Sequence, residues 1–483
     1  MQQQEQQQQQ EQKMQLYMDM LDHAGLAFNQ HQYDGVEFCV LNELTVQFGV
    51  RGGIIADEMG LGKTLTAIGT MVANPLPNTL IVLPPVLLLQ WQKEIFRATG
   101  IQALVYHGTQ KKQITERELM TNAIVLTTYN AIRPTNILHG VKWDRVVFDE
   151  AHHLRNKNLA LSGAVALNAK IRWLITGTPI QNSANDFSNL CSALGLDRSI
   201  YTDKALARSI ISTFVLKRSK AMVPSTNLPS VITRVVSVEW SDTEYALAKE
   251  IHSTLGFSNV EHCDGPYATK LGGSGVLQRI LRAKQSCVLP SLMDSELKKC
   301  RLGKQYSTTN TSKIDAVIAK IEETRDNGSG KLIFCHYRNE IDAIASRLTS
   351  AGIRNATFDG RTSAPEREAI LNDNVLVIIL QIQTGCEGLN LQKNYSEIYF
   401  VSPHWNPSVE AQAIGRCHRM GQKKQVYVFR FEMVGFEEQE QQEQQEQQDD
   451  DDSCSSSSLS LDMYIMTIQS KKRGITDAIL EAK

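Results

Sequence analysis

IIADEMGLGKTLTAIGTMV, residues 54–72, reads as a short strand, a glycine-bearing loop and a helix whose apolar face is Leu65, Ile68 and Val72. Gly60 and Gly62 let the backbone wrap phosphate oxygens closely. Lys63 is spaced to reach the β and γ phosphates of a nucleotide, and the Thr64 hydroxyl can ligate Mg2+. Leu61 lies between the glycines. One position departs from the G-x-x-x-x-G-K-T pattern: Asp57 stands where the first glycine would be.

Outward from this loop, β-branched runs alternate with amphipathic stretches. LIVL (80–83), AIVLTTY (123–129), RVVFDE (145–150) and RWLITG (172–177) form one series. KLIFCHY (331–337), VLVIILQ (375–381), EIYFVS (397–402) and VYVFRF (426–431) form a second. Continuous apolar strands separated by helical segments predict parallel sheets covered by helices on both faces, hence two α/β lobes. The expected boundaries are a Gln-rich tail over 1–15, a first lobe over 16–222, a connector over 223–310 and a second lobe over 311–483. Residues 1–12 and the insertion 437–458, EEQEQQEQQEQQDDDDSCSSSS, hold too little apolar surface to offset chain entropy and are expected to be disordered.

Composition narrows the class. The chain has 483 residues, 42% of them hydrophobic, with no apolar run long enough to span a membrane, so a soluble intracellular protein is expected. Its nine cysteines are scattered without zinc-ligand spacing, and no structural zinc is expected. The formal charge is -2, but Glu5, Glu11 and the nine acids between Glu437 and Asp452 account for much of the negative side. Without them the rest carries about +9, a balance suited to a polyanionic partner.

Two further segments carry chemistry. VVFDEAHH (146–153) places Asp149 and Glu150 at the carboxyl end of a strand, where α/β sheets collect ligands. Asp149 is expected to hold magnesium and Glu150 to orient and deprotonate the attacking water. HWNPSVEAQAIGRCHRMGQ (404–422) predicts a helix capped by Asn406, with Gln412, Arg416 and Arg419 on one face. Two guanidiniums so placed can neutralise charge developing on a γ-phosphate.

The order of these segments resembles the Swi/Snf-type branch of superfamily 2 helicases, over about residues 28–480. FNQHQYDGVEF (28–38), DEMGLGKT, LPPVLLLQWQKE (83–94), LTTY, DEAHH, LITGTPIQN (174–182) and FVLKRSK (214–220) come first. KLIFCHYRNEID, FDGRT (358–362), TGCEGLNL (384–391) and the 404–422 block follow. The resemblance implies two RecA-like P-loop NTPase lobes, with ATP hydrolysed in the cleft between them and stimulated by duplex DNA. It implies translocation without strand separation, with nucleosomes or another DNA-bound protein as further partners; the glutamine tracts favour a eukaryote or its virus, so a nucleus or a viral replication site is the expected compartment. It assigns Gln32 to the adenine, and Gly385, Gly388 and Asn390 to a segment sensing nucleotide and DNA. Thr127, Thr128, Thr178, Gln181, Asn182, Asn390 and Trp405 would line the DNA track through sequence-independent contacts.

Cys386, Ser402, Leu289 and His336 depart from the family's usual residues. Two other readings stand beside this one: a DEAH-type helicase that separates strands, and a DNA-binding scaffold that no longer hydrolyses ATP.

Overall fold

The short apolar runs do become parallel strands. In the computed structural model, which describes residues 2–177, 184–223, 228–257, 266–271, 275–373, 375–385, 389–436 and 458–480, the chain divides into two units. The first is Met1–Leu228 with Gly474–Lys483, and the second is Pro229–Arg473.

In the first unit the strands are β1 (Gly52–Ile55), β2 (Thr79–Leu83), β3 (Leu104–Tyr106), β4 (Ile124–Thr128), β5 (Trp143–Asp149), β6 (Ala169–Ile175) and β7 (Val215–Leu216). Among the described residues they form one parallel sheet in the order β3-β4-β2-β5-β6-β1-β7. Strand side chains alternate between two apolar layers: Leu80, Val82, Val146 and Phe148 enter one, Ile81, Leu83, Val147 and Ile175 the other. This two-sided burial is why the strands read as unbroken apolar runs. The second layer is closed by α1 (Gln2–His23), α2 (Gln30–Leu44), α3 (Lys63–Ala73) and α4 (Leu88–Thr99).

The Gln-rich start differs from expectation. It belongs to the 22-residue helix α1. Gln ranks among the better helix formers, and α1 is fixed downstream by buried Met14, Tyr17, Met20 and Leu21. Lys13 donates to Asn74 at 2.7 Å and Gln10 to Glu37 at 2.9 Å. Once those turns are docked, extending the helix through glutamines costs little.

The second unit's strands are β8 (Val231–Val238), β9 (Gly330–Cys335), β10 (Asn355–Phe358), β11 (Val377–Gln381), β12 (Tyr395–Phe400) and β13 (Val426–Met433). They too pair in parallel, in the order β10-β11-β9-β12-β13-β8. β8 lies within the stretch read from sequence as connector. Its VITRVVSV is an edge strand with residues 232–235 exposed, so it lacks the buried signature of the others.

The acidic insertion lies, except for Ser458, outside the described residues. Its flanks meet where the Phe436 N–H donates to the Ser458 carbonyl at 2.8 Å. Phe436 stacks on Trp240 with ring centroids 5.5 Å apart.

Three histidines of this unit sit in surroundings that disfavour their charge: His252 is buried, and His336 and His404 are half-buried. Burial pushes His252 and His404 down to about 4, and burial with the neighbouring Lys284 charge holds His336 well below the usual histidine range. His336 stacks on His404 at 5.6 Å and faces the Lys284 ammonium at 3.4 Å. An unfolded histidine protonates near 6.5, so from about pH 6.5 to 4 the unfolded chain binds more protons and stability falls with pH. Glu340, raised to about 7 by burial, acts in the opposite sense over part of that window. Glu432, also raised by burial, acts in the same sense as Glu340, but the three histidines outnumber the two acids, so the urea midpoint of this unit should drop between pH 7 and 5. An unchanged midpoint would contradict their being held neutral.

Candidate nucleotide site

The phosphate loop is built as its sequence demands. After β1 the chain turns through Gly60 at φ 93° and Gly62 at φ 85°, left-handed conformations in which a Cβ would be strained. Gly62 caps α3, so the loop ends at a helix N-terminus that begins with Lys63. The Lys63 ammonium donates to the Asp57 carbonyl at 2.9 Å. Thr64 sits half-buried in the first turn of α3, and Leu61 is fully buried.

Asp57, the departure from the glycine pattern, has a specific partner. Its buried carboxylate takes a two-pronged bond from Arg218, Nε at 3.0 Å and a terminal nitrogen at 2.5 Å. Arg218 was missed as a site residue because in sequence it is only one basic residue of FVLKRSK. Gln32, on α2, is brought to the same loop: its Nε2 donates to the Leu61 carbonyl at 3.3 Å, and His31 Nε2 lies 3.0 Å from that oxygen.

Asp149 ends β5. One carboxylate oxygen accepts from Trp91 Nε1 at 2.7 Å and the other from the Glu150 N–H at 2.9 Å. Burial, then the charge of Glu150, pushes the Asp149 carboxyl up to about 7 against these donors and the nearby positive charge of Lys63. Glu150 adopts φ 50°, a left-handed backbone uncommon for a non-glycine residue, and its carboxylate lies 3.1 Å from His152 Nδ1. The Tyr129 hydroxyl donates to the Asp149 carbonyl at 2.6 Å, tying the end of β4 to β5. Beyond β6, a Cβ on Gly177 would lie 2.9 Å from Met59 and 3.4 Å from Lys63 Nζ. The first unit therefore gathers Gln32, Lys63, Asp149 and Glu150 around the carboxyl ends of β1, β5 and β6.

The track residues fare differently. Thr127 and Thr128 are buried, and the Thr127 hydroxyl donates to the Tyr106 carbonyl at 2.9 Å, so neither presents its side chain on the surface of this unit. Thr178, Gln181, Asn182 and Gly388 lie outside the described residues, as does Cys386. Gly385 ends a short helix (Ile382–Gly385). In the second unit, Asn390 is exposed and accepts a hydrogen bond from Arg419. Trp405 packs against the core, edge-on to Tyr464 at 6.5 Å, which is an anchoring role.

The arginine helix is shorter than expected. It spans Pro407–Ile414, with the Asn406 side chain capping it by accepting from the Ser408 N–H at 3.0 Å. Arg416 and Arg419 follow on tight turns, not on the same helical face as Gln412. Gly415 ends the helix and buried Cys417 draws the chain into the core, with Cys417 N–H to Ile414 carbonyl at 3.0 Å and Arg419 N–H to Cys417 carbonyl at 3.1 Å. Of the other departures, Leu289 is buried in the core, while Ser402 accepts from buried Lys313 at 3.2 Å, which also pairs with Asp462.

An SNF2-related domain matches residues 22–292, more than half of the sequence. The chain belongs to the SNF2-related family. A helicase conserved C-terminal domain matches residues 312–421 of this SNF2-related chain, and the two units are RecA-like lobes. The ISWI chromatin-remodeling complex ATPase ISW2 of Saccharomyces cerevisiae is 30% identical over 78% of the chain and 37% of its own length. A "Probable global transactivator" of Orgyia pseudotsugata multicapsid polyhedrosis virus is 29% identical over 83% of the chain and 85% of its own length. The Sulfolobus solfataricus SWI2/SNF2 ATPase core in complex with dsDNA matches 85% of this chain and 88% of that chain, at 25% identity and a TM-score of 0.39. The SNF2-related chain thus spans little more than a third of the yeast relative but most of the viral one. Among the described residues, no helix is long and apolar enough to cross a membrane.

Proposed function

We propose that the chain is a DNA-dependent ATPase that couples hydrolysis to movement along duplex DNA. The observation that carries this reading is the convergence, in one SNF2-related lobe, of a phosphate loop bearing Lys63, the acidic pair Asp149 and Glu150, and the purine-facing candidate Gln32. Lys63 and the α3 N-terminus bind phosphate oxygens. Glu150 orients water and accepts its proton as the water attacks the γ-phosphate, while Arg416 and Arg419 offset the negative charge of that transition state.

The donor set fits Mg2+. The Thr64 hydroxyl and the Asp149 carboxylate are hard oxygen ligands, and two adjacent carboxylates, one raised to about 7, favour a compensating cation. Bound there, Mg2+ would supply charge neutralisation to the phosphates.

DNA is read by its backbone rather than its bases, with Asn390 the described candidate for contact. The yeast relative's name refers to chromatin remodeling, and the viral relative's to transactivation. From these we take nucleosomal or viral duplex DNA as the substrate, in the nucleus or at a viral replication site.

Phosphate release with and without a duplex, titrated at low salt, tests the reading. A clear stimulation, weakening as salt rises because counterion release is lost, is expected. Turnover that ignores duplex at every concentration would exclude it.

A further inference from the structure

The segment that leaves the first unit runs directly alongside the phosphate loop. β7 pairs with β1, Ile54 beside Val215 and Ile55 beside Leu216. The pairing continues past both strands: the Ala56 N–H donates to the Leu216 carbonyl at 2.7 Å and the Glu58 N–H to the Arg218 carbonyl at 2.8 Å. Two residues on, the Lys220 N–H donates to the Glu58 carboxylate at 2.8 Å, and the Lys220 ammonium lies 3.4 Å from it. Residues 215–220 thus fix the entry to the loop in register.

Arg218 makes that contact specific. Its guanidinium holds both oxygens of Asp57 and also donates to the carbonyl of His31, the neighbour of Gln32. A slot is left for it: a Cβ on Gly35 would stand 2.9 Å from an Arg218 terminal nitrogen. Asp57 in turn offers its carbonyl to Lys63. One planar cation therefore joins α2, the phosphate loop and the exit segment, and the second unit begins at Pro229. The two-pronged geometry is one that lysine cannot reproduce.

We propose that Arg218 is a positioning residue for nucleotide binding, setting the Lys63 loop against Gln32 and making nucleotide affinity depend on the segment that leads out of the first lobe. This rests on the nucleotide site proposed above. Arg218 spends its guanidinium on Asp57 and the His31 carbonyl and reaches Lys63 only through Asp57, so its effect falls on affinity. Proton acceptance is left to Glu150, and transition-state charge to the arginines of the second unit.

The test is a double-mutant cycle on the full chain, read by equilibrium binding of a fluorescent ADP without DNA, by KM and kcat for ATP, and by melting temperature. Arg218→Lys keeps the charge but loses the fork, and is expected to weaken ADP binding and raise KM about tenfold, with kcat within threefold at saturating ATP. Asp57→Asn should do the same. The double variant should lose no more than either single one, because both act through one contact. ADP affinity within twofold of the parent in Arg218→Lys would overturn the proposal. So would a loss of binding no larger than the loss of folded protein, or a loss in kcat alone. If the parent chain binds no ADP, the nucleotide site itself fails, an outcome distinct from these. If Arg218→Lys does not fold, Asp57→Asn and Gly35→Ala, which crowds the guanidinium, carry the same prediction for KM.

Discussion

Glu150→Gln is expected to lower ATP turnover by a factor on the order of 10² to 10⁴ while leaving ATP binding intact. The substitution keeps size and shape but removes the proton acceptor. Glu150 is held in a left-handed backbone beside the end of β5, with its carboxylate near His152. That is the placement expected of a base held for use rather than a surface acid. The structure adds a second consequence. The charge of Glu150 is one of the two causes that raise the Asp149 carboxyl to about 7. Its removal leaves Asp149 more readily ionised, which offsets the lost attraction of Glu150 for the cation, so affinity for the magnesium complex of ATP should stay about the same. Single-turnover phosphate release, run beside equilibrium binding of a fluorescent ATP, separates the two effects. Turnover within threefold of the parent would remove Glu150 from the role of base, and a parallel loss of binding would make it structural.

Most of both sheets could be read from the sequence because each buried strand advertises itself as an unbroken apolar run. RVVFDE and VLVIILQ are apolar on both faces since helices cover both. β8 could not be read in this way: it sits at a sheet edge, keeps Thr233, Arg234 and Ser237 exposed, and so mixes polar and apolar residues within one strand. The Gln-rich start misled in the opposite direction. Composition measures what a segment can bury by itself, and α1 is held by Tyr17 and Met20 farther along the same helix.

At the site, local motifs were legible where the chemistry lies within a few residues of chain. The glycines, Lys63, Asp149 and Glu150 are such cases. The Asp57–Arg218 pair spans 161 residues, and only the parallel pairing of β1 and β7 brings its members together. Thr127 shows the reverse limit. Its hydroxyl suits a phosphate contact in sequence, but it points into the first unit and bonds the Tyr106 carbonyl.

Arg419→Ala should cost about 10³ in kcat, the scale set by guanidiniums that stabilise a transferring phosphoryl group, with ATP affinity changed by only a few fold. Its setting makes the prediction sharper than the sequence alone allows. Arg419 lies on a turn after the helix Pro407–Ile414, closed by its N–H on the Cys417 carbonyl and by the Gln422 N–H on its own carbonyl at 3.0 Å. Its guanidinium is steadied by the Asn390 side-chain oxygen. Asn390→Ala should therefore lower kcat in the same direction by a smaller factor, about tenfold, since it loosens the arginine without removing it. Arg416 differs: its Nε is buried with no hydrogen-bond partner among the described residues. Truncation there also removes packing, so Arg416→Ala should reduce both kcat and the melting temperature, whereas Arg419→Ala should leave melting unchanged. Normal turnover in Arg419→Ala would assign the charge-neutralising task elsewhere. Equal losses of kcat in Asn390→Ala and Arg419→Ala would mean that the asparagine itself, and not its hold on the guanidinium, is what hydrolysis requires.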